Sequence, residues 1–206
     1  MSKHQQLNYS RTVPAPFMKR LWLCVLAFFL LLCTQSIYAQ ERSKVLMLQV
    51  QSDPSGLYLD AQMNLVLPPE VQEVLNKGIA LHFIATATVY RKRWYWFDAV
   101  DAQRSRSVRL SFQPILQHYR VSIGGLNQTF NTLPEALSLL GSISRWRIAD
   151  AGIVRASGGQ TLVFTFELDR SRLPQMFQLS IAGEQVWQIR LTQEVDLHIP
   201  QPEVAQ

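Results

Sequence analysis

The stretch VRLSFQPILQHYRVSIGG, residues 108–125, decides the architecture. Val108, Leu110 and Phe112 alternate with Arg109, Ser111 and Gln113, and Tyr119, Val121 and Ile123 alternate with His118, Arg120 and Ser122. A period of two puts the apolar side chains on one face of a pleated strand and the polar ones on the other. Gly124-Gly125 supplies a turn at the end of the second strand.

The same alternation recurs outward in both directions. It runs through 45–50 (Leu46, Leu48, Val50), 57–67 (Leu57 to Leu67 at every second position), 81–90 (Leu81, Phe83, Ala85, Ala87, Val89), 161–168 (Leu162, Phe164, Phe166, Leu168) and 186–191 (Trp187, Ile189, Leu191). Strands wet on one side argue for antiparallel sheets and against a doubly covered parallel one. The expected fold is therefore mainly β, or α+β, an antiparallel β-sandwich-like domain with two short helices that buries the apolar faces between two sheets. The first helix opens at Pro68-Pro69-Glu70, carries the stripe Val71, Val74, Leu75, and stops at Gly78. The second opens at Thr132-Leu133-Pro134-Glu135, a capping-box pattern, carries Leu133, Leu137 and Leu140, and stops at Gly141. Ser157-Gly158-Gly159 reads as a hairpin turn before the strand at 161.

The first 39 residues read as an N-terminal extension and signal peptide. Met18-Lys19-Arg20 precedes an apolar run from Leu21 to Cys33, followed by polar and small residues up to Ala39. Positive start, short greasy centre and a small residue at the cut are the marks of a secretory leader, with translation expected to begin at Met18. A membrane span needs about 20 apolar residues, so cleavage is favoured over an uncleaved inner-membrane anchor facing the periplasm. A single β-rich domain over 40–197 and a flexible tail over 198–206 follow.

Export changes the charge balance. Of 20 basic residues, Lys3, Arg11, Lys19 and Arg20 lie in the leader, leaving 16 against 15 acidic ones, a net charge of about +1. The basic isoelectric point thus carries no case for nucleic acid. Cys24 and Cys33 also lie in the leader, so no disulfide or thiolate metal site is expected in the exported part.

Four segments carry a family resemblance: GIALHF at 78–83, YRKRWYWFD at 90–98, VRLSFQPILQHYRVSIGGLNQTFNTLPEAL at 108–137, and FELDRSRLPQMFQL at 166–179. With the leader they resemble the exported proteobacterial family called domain of unknown function 4390. The resemblance covers nearly all of the exported chain. It implies no catalytic residue. It does imply genes that often sit near a nitrogen-type sensor kinase and its response regulator.

The candidate binding surface is Arg91, Arg93, Trp94, Trp96, Arg104 and Arg106. As a strand, Trp94-Tyr95-Trp96-Phe97 would put the tryptophans on one face, either filling core or forming a platform for sugar rings, bases or a bilayer surface. Arg91, Lys92, Arg93, Arg104, Arg106 and Arg109 fall within 19 positions opposed only by Asp98 and Asp101. A hairpin pairing 86–97 with 104–112 would gather them at one edge, as a solvated edge that deters aggregation or as a patch for head groups or an acidic protein face. His82, His118 and His198 show no metal-ligand spacing, and no G-x-S-x-G elbow or phosphate loop occurs. Glu167 and Asp169 share a strand face, a pairing expected to meet Arg170 and Arg172 and not a substrate. Leu173-Pro174-Gln175-Met176-Phe177 reads as a loop folded onto the core, with a docking lip as the alternative.

These residues favour a non-enzymatic periplasmic binding or accessory protein, partnered by an envelope or membrane protein, with membrane-surface contact and no nucleic acid; that the partner is a sensor kinase is what the family resemblance implies. Two alternatives stay open. One is a lipid or glycan carrier with an intersheet cavity lined by residues such as Phe83, Phe112 and Phe164. The other is an unrecognised hydrolase in which Glu167, Asp169, His82 and His118 converge. No cofactor is expected.

Overall fold

The computed structural model describes residues 42–95, 97–154, 159–181 and 184–197, without the side chains of 179 and 180. The leader, Trp96, Ser157, Gly158, His198 and the tail lie outside the described residues. Among the described residues, nine strands form two antiparallel sheets: β1 (Lys44–Asp53), β2 (Gly56–Asn64) and β7 (Ser142–Ala149) in the order β1-β2-β7, and β3 (Leu81–Arg91), β4 (Ala99–Gln113), β5 (His118–Ile123), β6 (Leu126–Phe130), β8 (Gln160–Leu168) and β9 (Arg190–Leu197) in the order β6-β5-β4-β3-β8-β9. Mainly antiparallel β with a few short helices is the fold class that the alternation predicts.

The pleat explains the core. Phe83, Ala85, Ala87 and Val89 of β3 pair in register with β8 residues that point the same way, Leu81 pairs with Leu110 of β4, and all five are buried. Phe83 stacks on Phe166 at 5.4 Å between centroids. Leu57, Leu59, Ala61 and Met63 of β2 join the same apolar cluster from the smaller sheet. Burying a side chain of this size stabilises the fold by about 1.5–3 kcal/mol.

Helix α1 (Pro69–Asn76) buries Val71, Val74 and Leu75, and α2 (Leu133–Leu140) buries Ala136 and Leu140. Thr132 is the N-cap of α2 in extended conformation, but its side chain makes no cap hydrogen bond, so the expected capping box does not form. Gly141 stops that helix in right-handed conformation; its role is close packing, since a Cβ there would lie 2.4 Å from the Met63 carbonyl oxygen. The expected strand over 186–191 is corrected: Gln185–Trp187 is a 3-10 turn, and β9 begins at Arg190. Trp187 and Ile189 are buried nonetheless. Leu173 is buried and α3 (Gln175–Ser180) follows it, which fits a segment folded onto the core, although Met176 is exposed.

Candidate functional site

The alternation of β3 ends at Arg91. A register shift between Val89 and Tyr90 interrupts the β3–β4 pairing there, and Arg91 lies opposite Ala99, so Lys92 to Tyr95, Phe97 and Asp98 lie outside both strands. The Lys92 amide turns away from β4 and donates to the Gly159 carbonyl at 2.9 Å.

A polar latch holds the base of this loop. Arg91 donates from Nε at 3.1 Å and pairs through Nη2 at 3.0 Å with Oδ1 of Asp101, while Gln160 Nε2 donates to Oδ2 of the same carboxylate at 2.6 Å and to the Ile153 carbonyl at 3.0 Å. Asp101 has a side chain only 10% exposed, and Gln160 is buried. Buried polar atoms must find partners, and here each one finds them in another.

Beyond the latch the chain is bare. Trp94 is 93% exposed, Tyr95 66% and Phe97 87%, with Val100 at 55% beside them. Trp94 and Tyr95 meet edge to face at 4.9 Å. Lys92 reaches Asp196 at 3.4 Å on the surface, and the Arg93 amide donates to Asp98 at 3.4 Å. The expectation of a strand filling the core is thus corrected for Trp94, Tyr95 and Phe97, which lie outside the strands and stay in solvent, since among the described residues no second layer covers them.

The arginines do not gather at one edge. Arg104 lies opposite Ala87 and Arg106 opposite Ala85, about 13 and 20 Å back along β3 from Arg91. Both occupy the inward face of β4. Arg106 lies over the Trp146 ring of β7 at 5.3 Å, its Nε is buried without a hydrogen-bond partner, and burial pulls its pKa below the usual guanidinium range. Of the expected surface, the structure unites Arg93 and Trp94 at the tip, commits Arg91 to Asp101, and leaves Arg104 and Arg106 elsewhere. Tyr95, Phe97 and Val100 belong to the tip and were not singled out as site residues. A run of large apolar side chains longer than the strand's partner could cover was the signal for them.

The carboxylates and histidines lie differently. Glu167 pairs with Arg190, not with Arg170. Asp169 lies past the end of β8, accepts from the Ser171 amide and hydroxyl, and pairs with Arg172 at 3.3 Å. His82 lies opposite Arg109; burial and then the neighbouring Arg172 and Arg109 lower its pKa, against the opposite pull of Asp169. His118 stands at the far end of β5, opposite Gln113. Among the described residues, no three His, Asp or Glu side chains are grouped as metal ligands, and no helix is long and apolar enough to cross a membrane.

Phe83 and Phe164 are buried in the core cluster, and Phe112 is half-buried against it. A cleft of about 610 Å³ opens elsewhere, between the end of β2, Leu46 of β1, Tyr119 of β5 and the Leu133–Leu137 face of α2.

A family model described as Domain of unknown function (DUF4390) matches residues 41–195. No curated protein and no solved structure matches the chain.

Proposed function

We propose that this chain, which belongs to the Domain of unknown function (DUF4390) family, is a non-enzymatic accessory protein on the periplasmic side of the bacterial inner membrane that meets the membrane surface with the tip of its β3–β4 hairpin. The observation that carries the reading is the exposure of Trp94, Tyr95 and Phe97 on one loop. Leaving three large aromatics in water gains the isolated fold nothing. Rings of this kind settle at the boundary of head groups and acyl chains, and an adjacent Lys or Arg adds about 1 kcal/mol on an anionic surface. Lys92 and Arg93 stand beside them.

A domain seated in this way is suited to serve a membrane receptor, and the gene neighbourhood implied by the family resemblance makes a sensor kinase the first partner to test. A hydrolytic reading finds less support: the Ser171 hydroxyl is bound to Asp169, and His82 has two guanidiniums as neighbours. A carrier reading rests on the 610 Å³ cleft beside α2; it predicts that Leu137→Trp, which fills that cleft, abolishes uptake of a fluorescent fatty acid.

The test of the main reading is co-sedimentation of the protein with vesicles of anionic or zwitterionic phospholipid. Binding to the anionic vesicles is expected, with loss in a Trp94→Ser/Phe97→Ser variant that keeps its melting temperature. Equal sedimentation of parent and variant would remove the tip from the account.

A further inference from the structure

Among the described residues, four strands form the open edges of the two sheets: β1, β7, β6 and β9. An open edge presents unpaired backbone groups and invites another chain, so edges are normally blunted by charges, bulges or prolines. β9 carries Arg190, Glu194 and Asp196. β7 carries Arg145 and Arg147, with Arg145 at φ +44° where its pairing with β2 shifts register. β1 carries Lys44 and a register shift between Val45 and Met47. β6, Leu-Asn-Gln-Thr-Phe, has none of these, and its pairing with β5 is regular throughout.

The turn fixes which backbone groups of β6 face outward. Gly124 and Gly125 have φ of +55° and +89°, a two-residue turn that makes Ile123 and Leu126 a hydrogen-bonded pair. Pairs then alternate, so Asn127 and Thr129 point their N–H and C=O groups away from β5. Among the described residues these groups make no backbone hydrogen bond outside the sheet, and both residues are exposed.

The surroundings give the edge a sign. From Ala102 to Pro134 the chain has no Asp or Glu but four arginines, Arg104, Arg106, Arg109 and Arg120. Arg109, Ser122 and Asn127 form one cross-strand row, and Ser111, Arg120 and Thr129 the next, so Arg109 and Arg120 share the polar face behind β6. Neither has a carboxylate within 4.0 Å among the described residues, and Arg120 Nε is buried with no hydrogen-bond partner.

We infer that β6 is a docking edge for an extended acidic segment of a partner protein, which adds as a seventh strand with carboxylates on the Arg109–Arg120 face. The backbone of Asn127 and Thr129 supplies the ladder bonds, and side chains on alternate positions supply selectivity. A residue beside Thr129 would lie about 10 Å from Arg120 between backbones, a span that a Glu and an Arg side chain can close together. A second copy of this chain fits worse, because two-fold pairing of β6 with itself would bring two acid-free arginine wings together.

The test is amide hydrogen exchange on the full chain with a short peptide alternating glutamate and valine, and with its lysine-for-glutamate counterpart. The glutamate peptide is expected to slow exchange at Asn127 and Thr129 by about tenfold, and the lysine peptide to leave it unchanged. Thr129→Pro should abolish the protection without lowering the melting temperature, since its N–H faces outward. Arg109→Gln/Arg120→Gln, which leaves the edge backbone intact, should weaken the protection and serves as the deciding variant if Thr129→Pro unfolds. Absence of protection, equal protection by both peptides, or protection that instead grows with protein concentration and so reports self-pairing would overturn the inference.

Discussion

Asp101→Ala should loosen the base of the hairpin tip. Asp101 is the acceptor for two Arg91 nitrogens at 3.1 and 3.0 Å and for Gln160 at 2.6 Å, with its side chain 10% exposed. Breaking a fully buried pair costs about 3–5 kcal/mol, and a hydrogen bond to a charged group contributes about 1.5–3 kcal/mol. Arg91 is 32% exposed and can turn to water, and Gln160 keeps its bond to the Ile153 carbonyl, so the loss should fall below the buried limit. The expected destabilisation is about 2–3 kcal/mol, or about 1 M in urea midpoint for a slope near 2 kcal/mol per M. Asp101→Asn retains an acceptor and should lose about half as much. The assay is urea unfolding of parent, Asp101→Ala, Arg91→Gln and the double variant. A coupling of at least about 1 kcal/mol is expected between the two sites. A destabilisation below about 0.5 kcal/mol, or additive single effects, would refute the latch as the element that positions the tip.

Phe83→Ala removes a stacked ring from the buried core and should cost about 3–5 kcal/mol by urea unfolding, with secondary structure preserved at low temperature. Gly141→Ala meets the Met63 carbonyl and should lower the melting temperature although alanine is the better helix former. His82 titrates below its ordinary value of 6.5, chiefly through burial, so the unfolded chain binds the proton more readily. Stability from this group is therefore complete above pH 6.5 and falls as pH drops through the folded-state value, a slope that His82→Gln should flatten in a melting series. Arg93→Gln should weaken binding to anionic vesicles about fivefold and leave zwitterionic binding unchanged in a sedimentation titration.

Strands with one apolar face were legible because burial selects a period of two. β3, β5 and β8 show it, and their faces are those predicted. β6 and β7 were not legible. Leu-Asn-Gln-Thr-Phe covers no core along most of its length, and Ser-Ile-Ser-Arg-Trp-Arg-Ile-Ala places two arginines among its apolar residues. The start of β4 before 104 was missed, and 104–107 was read only as a hairpin partner of 86–97, because Gln103, Arg104, Ser105 and Ser107 are exposed and carry no periodic signal. At 186–191 alternation misled, since the 3-10 turn at Gln185–Trp187 and the residues after it bury Trp187 and Ile189 while Gln188 between them stays exposed, as a strand would. At the site, the sequence marked Trp94 and Arg93 but not their separation from Arg104 and Arg106. That depends on where β3 stops, which Asp101 and Gln160 help to fix from positions 10 and 69 residues further along the chain.

The contact of the β3–β4 tip with a bilayer is tested most directly by tryptophan fluorescence of the protein with anionic vesicles whose acyl chains carry bromine quenchers. Trp187 is buried and Trp146 is half-buried under Arg106 on β7, so both give a background that the tip variant leaves unchanged. A blue shift and quenching that disappear in Trp94→Phe/Trp96→Phe are the predicted result; an emission spectrum unchanged by saturating vesicles would contradict it.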